Sequence, residues 1–224
     1  LPGAVIYDPT VIATYEKPLQ PEAGIAVLRG NIAPDGAVIK PAAASSHLLT
    51  HTGPAVVFES IEDFHARIDD PNLDVDENSV LVLRGCGPKG YPGMPEVSNM
   101  AIPKKLLERG IQDLVRICDG RMSGTAFGTV VLHVSPEGAA GGPLSRIRTG
   151  DLIELDVPAR TLNVKISDAE LEARAPSQAM LDALAQPTRG WERMYIDHVE
   201  QAHLGADLDF LRGASGSASP RESH

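Results

Sequence analysis

The sequence predicts a strand-rich α+β fold with a few helices, whose eight short strands would fit a closed or nearly closed barrel. Three observations predict it. Eight short aliphatic or β-branched runs are each bounded by Gly, Pro, Asn or Asp. Helical stretches are few but well capped. Turn formers are plentiful, with Gly 21 and Pro 18 in 224 residues, which favours many short elements over a few long ones.

In chain order, the strand runs are Ile25–Leu28, Ala37–Lys40, Ala55–Phe58, Val80–Leu83, Val115–Ile117, Thr129–Val134, Leu152–Val157 and Leu162–Ile166. The last two flank Pro158-Ala159-Arg160-Thr161, which reads as a hairpin loop. Ser60 with Asp63 caps a helix expected to reach Asp69. Pro103 and Gly110 bracket a helix over Lys104–Arg109. Ser167 and Glu170 form a capping-box pattern that opens a helix to Arg174. Ala175–Gly190 reads as a linker and Trp191–Leu211 as a helical segment with an apolar stripe. Residues 213–224, rich in Ser and Gly, read as a flexible tail. The expected division is therefore a barrel-like domain over 1–175, linker and C-terminal helix over 176–212, then the tail.

Composition removes several classes. Lys+Arg 20 against Asp+Glu 30 leaves a net charge of −10, which opposes nucleic-acid binding, since that needs a basic face. No apolar run approaches the roughly 18 residues of a membrane span, and no signal-like stretch is present, so a cytoplasmic setting is expected. Two cysteines, Cys86 and Cys118, are too few for a disulfide framework or a three-thiolate cluster site.

Two glycine-rich loops carry the chemical interest. Gly85-Cys86-Gly87-Pro88-Lys89-Gly90 matches G-x-G-x-x-G after a strand, but Pro92 and Pro95 follow at once. No helix can open there to hold a pyrophosphate, so a dinucleotide site is not expected. What remains is a loop stiffened by proline whose glycines let backbone approach a ligand. Glu96 closes it, either as a solvated or capping carboxylate or as a ligand for a hard cation such as Mg²⁺. The second loop, Asp119 to Gly128, sets small residues around Ser123 and Thr125, offering backbone N–H groups to an anion. A turn or cap serine is the alternative. It is not a nucleophile elbow, because Met122 and Gly124 flank Ser123 directly.

Other candidates are weaker. Asp69–Asn78 lacks the glycine and the final glutamate of a calcium loop and reads as a solvated acidic turn. His47 and His51 stand four apart, the spacing of one helix face, without the glutamate of a zinc-binding motif between them.

Taken in order, Gly30-Asn31-Ile32-Ala33-Pro34-Asp35-Gly36, the run Gly87 to Glu96, Asp119 to Thr125, Ser135-Pro136-Glu137, Gly141-Gly142-Pro143 and Gly150-Asp151 resemble the dihydroxy-acid and sugar-acid dehydratases. The resemblance covers roughly residues 20 to 174 and matches the C-terminal part of those enzymes. Tyr91 and Met122 look more like the sugar-acid branch. It implies a swivelling β/β/α domain, a barrel-like β-sheet flanked by helices, and a hydro-lyase that converts a 2,3-dihydroxy acid to a 2-keto-3-deoxy acid. Ser123 would be the base, with Thr125 beside it; Glu96 would bind Mg²⁺, and Gly124 and Tyr91 would meet substrate. It also implies an iron–sulfur cluster, 2Fe–2S in preference to 4Fe–4S, held by an N-terminal domain outside this chain.

The partners so implied are that N-terminal domain, a small sugar acid and further copies in a homo-oligomer. Alone, these 224 residues are expected to bind no cluster and turn over no substrate. The alternative is a stand-alone swivelling subunit for substrate recognition or assembly. Such subunits are not expected to carry both glycine-rich runs.

Overall fold

The computed structural model describes residues 3–124 and 127–213. Thr125 and the tail from residue 214 to His224 lie outside the described residues. All eight expected strands are present: β1 Ala26–Leu28, β2 Gly36–Ile39, β3 Thr50–Phe58, β4 Val80–Leu83, β5 Val115–Cys118, β6 Val130–Ser135, β7 Leu152–Asp156 and β8 Thr161–Val164. They form one sheet in the order β1-β2-β6-β5-β4-β3-β7-β8.

The middle of this sheet is parallel. β3, β4, β5 and β6 run side by side in one direction, and antiparallel pairs flank them. Parallel strands are covered on both faces, which explains the unbroken apolar run of β4, while β5 carries one buried charge, Arg116, paired with Asp113. Along β4, Val80 and Val82 enter one core while Leu81 and Leu83 enter the other. The first core fills the barrel with Leu28, Ile117, Val131, Leu155 and Leu162. The second packs Phe58, Phe64, Met100, Leu106 and Leu114 between the sheet and its helices.

The sheet nearly closes on itself. The Arg29 N–H donates to the Arg160 carbonyl at 3.0 Å, and the Leu162 N–H donates to the Arg29 carbonyl at 2.9 Å. The Asn31 side chain continues the seam, accepting from the Val164 N–H and donating to its carbonyl. A Cβ at Gly30 would stand 2.0 Å from the Leu162 carbonyl oxygen, so only glycine permits this approach.

The helices are α1 Ile61–Arg67, α2 Lys104–Leu107, α3 Asp168–Ala173, α4 Gln178–Ala183 and α5 Gly190–His198. The expected caps are made: Ser60 Oγ accepts from the Asp63 N–H at 3.2 Å, and Ser167 Oγ from the Glu170 N–H at 3.1 Å. Three expectations need correction. Ala175–Gly190 is not simply a linker, because α4 lies within it, capped by Ser177 and anchored by fully buried Met180. Trp191–Leu211 is not one helix. α5 ends at His198, and short 3₁₀ turns follow at Ala202–Leu204 and Asp209–Leu211, separated by left-handed Gly205 and an antiparallel bridge from Val199 to Leu208. Finally, His47 and His51 share no helix face. His51 lies in β3, its Nε2 2.8 Å from the Asn78 carbonyl oxygen, while His47 sits in a 3₁₀ turn. Among the described residues, no helix is long and apolar enough to cross a membrane.

Candidate functional site

Three loops leave the C-terminal ends of three adjacent parallel strands: after β4 the glycine-rich run from Gly85, after β5 the run from Asp119, and after β6 the run from Pro136. In open parallel sheets this edge is where ligands are met, because helices cover the faces and the loops are free to vary. Among the described residues no helix opens at Gly90.

Asp119 holds the three loops together. Its carboxylate is fully buried and accepts from the Gly85 N–H at 3.1 Å, the Cys86 N–H at 2.9 Å and the Gly138 N–H at 2.9 Å. Burial pushes its pKa above the ordinary aspartate value, although the three donors pull the other way. The loops touch so closely that a Cβ at Gly120 would stand 2.7 Å from the Cys86 carbonyl oxygen.

The far end of the second loop is fixed independently. Asp113 accepts from the Thr129 N–H and Oγ1, and its Oδ1 pairs with Arg116 at 2.9 Å, all buried. Gly128, at φ 130, leaves room for that guanidinium; a Cβ there would stand 2.0 Å from Arg116 Nη2.

Between these anchors the sequence-predicted residues are exposed. Ser123 and Gly124 face solvent, and open space surrounds Gly124. Glu96 is brought to the same loop: its carboxylate lies 3.3 Å from the Arg121 guanidinium, and the Ser98 N–H donates to the Arg121 carbonyl at 3.1 Å. Tyr91 points elsewhere. With Tyr195 and Trp191 it lines a pocket of about 630 Å³ between the glycine-rich loop, α1 and the α4–α5 region. Neither Glu96 nor Ser123 borders that pocket. Thr125 falls outside the described residues.

The half-exposed Glu96 carboxylate, in a loose ion pair, is a fitting single ligand for Mg²⁺, which binds few carboxylates and keeps other oxygens. The cysteines do not fit an iron–sulfur cluster. Cys86, Cys118 and Asp119 do bring a ligand atom each within 4.8 Å. However, the Ser98 hydroxyl and the Gly120 N–H already donate to Cys118 Sγ, and Asp119 is taken up by backbone. A hydrogen bond with Cys118, together with burial, holds the Cys86 thiol far above the ordinary cysteine pKa, so it stays protonated.

Sequence reasoning missed the roles of Asp119 and Glu137. Both act by accepting backbone N–H groups, a role that leaves no spacing pattern. The position of each just past a strand end was the available signal. Glu137 is buried to 1 % exposure and accepts from the Lys89 and Gly90 N–H groups.

The chain matches the family model described as Dihydroxy-acid/6-phosphogluconate dehydratase C-terminal over residues 10–206. The chain belongs to this family. It is similar to an L-arabinonate dehydratase of Rhizobium leguminosarum bv. trifolii (strain WSM2304), 56% identical over 98% of the chain and 38% of the relative. It is also similar to an L-arabonate dehydratase of Azospirillum brasilense, 54% identical over 97% of the chain and 38% of the relative. A 6-deoxy-6-sulfo-D-gluconate dehydratase of Pseudomonas putida is 48% identical over 98% of the chain and 38% of the relative. The chain thus spans little more than a third of the length of these dehydratases. Their names agree with the sugar-acid branch expected from Tyr91 and Met122.

Proposed function

We propose that this chain is the C-terminal part of a hydro-lyase that dehydrates a 2,3-dihydroxy acid, an aldonic sugar acid, to the 2-keto-3-deoxy acid. The observation that supports this reading is the joining of the Glu96 and Ser123 loops through Arg121 at the C-terminal edge of the parallel strands. Glu96 is the Mg²⁺ ligand this chain contributes. Mg²⁺, when bound, supplies positive charge to the substrate carboxylate and 2-hydroxyl, where negative charge develops.

Ser123 Oγ, as the alkoxide, takes the proton from C2. The electron pair left behind forms the C2–C3 double bond of an enol as the C3–O bond breaks; the departing 3-hydroxide takes the proton from the Ser123 hydroxyl and leaves as water, which restores the alkoxide. The enol then tautomerises to the keto acid. A serine serves as base only where its alkoxide is stabilised, and open space at Gly124 beside it leaves room for a stabilising group to approach. Thr125 is the neighbouring hydroxyl and Gly124 a substrate contact, while Tyr91 lines the separate pocket that neither Glu96 nor Ser123 borders.

No step here runs through an iron–sulfur cluster, for which this chain's cysteines are unsuited. In this reading such a cluster, 2Fe–2S in preference to 4Fe–4S, belongs to a preceding domain of a longer, homo-oligomeric polypeptide.

The test is Ser123→Ala in that longer polypeptide. The expected result is intact fold and metal content, with kcat reduced on the order of 10³-fold or more, as for an essential base. Near-normal kcat would reduce Ser123 to a turn residue.

A further inference from the structure

Glu137 ties together three parts of the molecule that are distant in sequence. Its Oε1 and Oε2 accept from the Lys89 N–H at 2.9 and 3.1 Å, and Oε2 accepts from the Gly90 N–H at 2.9 Å. Oε1 also accepts from Gln201 Nε2 at 2.8 Å, while Gln201 Oε1 accepts from the Glu137 N–H at 2.8 Å. Gln201 lies in the segment after α5, so β6, the glycine-rich loop and the C-terminal segment meet at one carboxylate. A Cβ at Gly87 would stand 2.5 Å from Oε2, so glycine lets the loop fold down onto it. Each group that meets the carboxylate donates to it, and the one acceptor among these partners, Gln201 Oε1, is taken up by the Glu137 N–H.

We propose that Glu137 is a positioning residue: its carboxylate clasps the Lys89–Gly90 turn to the Gln201 segment, and so holds Tyr91 and Glu96 in a single arrangement. The functional consequence rests on the dehydratase reading; the clasp itself does not.

The chemistry of the clasp makes it sensitive near neutrality. Burial, and then the nearby Asp119 charge, push the Glu137 pKa up to about 7, against the pull of its three donors. The titratable groups that face it are Asp119 from the end of β5 and Tyr195 from α5. A protonated carboxyl would set its hydrogen against one of the donors and lose that bond. The clasp is therefore complete above about pH 7 and weakened below it.

The test has two readouts. Amide exchange of Lys89 and Gly90 is followed in this chain at pH 6 and pH 8, corrected for intrinsic rates, in wild type, Glu137→Gln, Glu137→Asp and Gly87→Ala. At pH 8, Glu137→Gln and Gly87→Ala should each lose roughly tenfold or more of the protection at these two amides, since hydrogen bonds to a charged group are the stronger kind. The β4 and β5 amides should be unchanged. Wild type should lose protection between pH 8 and pH 6, Glu137→Gln should show no such step, and Glu137→Asp should recover part of it.

In the longer enzyme, Glu137→Gln should raise the Mg²⁺ half-saturation concentration and KM several-fold, with a smaller change in kcat. Unchanged exchange at Lys89 and Gly90, or loosened exchange with unaltered Mg²⁺ and KM, would overturn the proposal. A wild-type enzyme without dehydratase activity would instead overturn the functional reading, while the exchange pattern still decides the clasp.

Discussion

The Arg121 guanidinium stands 3.3 Å from the Glu96 carboxylate and at the same time donates through Nε to the Met94 carbonyl at 2.5 Å. One side chain of the second loop thereby fixes the end of the first, twenty-seven residues before Ser123. The ion pair is weak by construction. Both partners are nearly half exposed, so water and salt screen their attraction.

Glu96→Gln, which removes the pair but leaves the Arg121–Met94 bond, should therefore change unfolding free energy in urea by no more than about 1 kcal/mol, the range for exposed pairs. Whatever contribution the pair makes should vanish at high salt. A loss well above that would mean the pair supports the fold, not merely the loop. A pair this loose also leaves Glu96 free to exchange its arginine for a cation.

Met180 is the opposite case. It is fully buried, although α4 falls in a stretch whose sequence reads as a linker. Its Cγ would lie 3.2 Å from a Cβ at Gly85, and its Sδ 3.0 Å from one at Gly138, so it packs on the backbone of two site loops. Met180→Ala should cost about 2–5 kcal/mol, as for other large-to-small changes in a packed interior. Equilibrium urea unfolding measures it. A cost below about 1 kcal/mol would mean α4 is dispensable to the body of the fold.

Asp113 offers a pH test. Burial alone would raise its pKa, but the donors Thr129 and Ser45 together with the Arg116 charge outweigh it and hold the carboxyl below the ordinary value. The folded pKa is the depressed one, so the unfolded chain binds the proton first on acidification. The stability Asp113 contributes is thus fully present above the ordinary aspartate range and is lost as pH falls through the lower, folded value. Asp113→Asn leaves Arg116 buried without its counter-charge and should cost about 3–5 kcal/mol at pH 7. The difference from wild type should shrink as pH is lowered below 3.8. A gap independent of pH would show that the charge is irrelevant there.

How far these features were legible in the sequence follows from what each one is made of. β4 announces itself as a four-residue aliphatic run, β5 as the shorter run Val115–Ile117 that folding extends to Cys118, and Ser60 and Ser167 announce helices through side chains that serve the local backbone. α4 is poorly announced, because a two-turn helix needs only Met180 inside, and its neighbours Gln178 and Asp182 are polar. The antiparallel return from Val199 to Leu208 is invisible to helical periodicity, since Gly205 turns the chain back where the apolar stripe suggests continuation. At the site, Glu96 and Ser123 stand in glycine-rich loops that a reader would single out. Asp119 and Glu137 serve backbone amides of distant segments, and only folding reveals which amides those are.

The seam at Arg29 and Leu162 has a consequence for assembly. Where Arg29 bonds to Arg160 and Leu162, the backbone beside the first and last strands already has its partners. A neighbouring polypeptide therefore finds fewer vacant amides and carbonyls at this seam with which to extend the β-ladder. Contacts built from side chains on the outer surface can then be tuned by substitution without disturbing the seam.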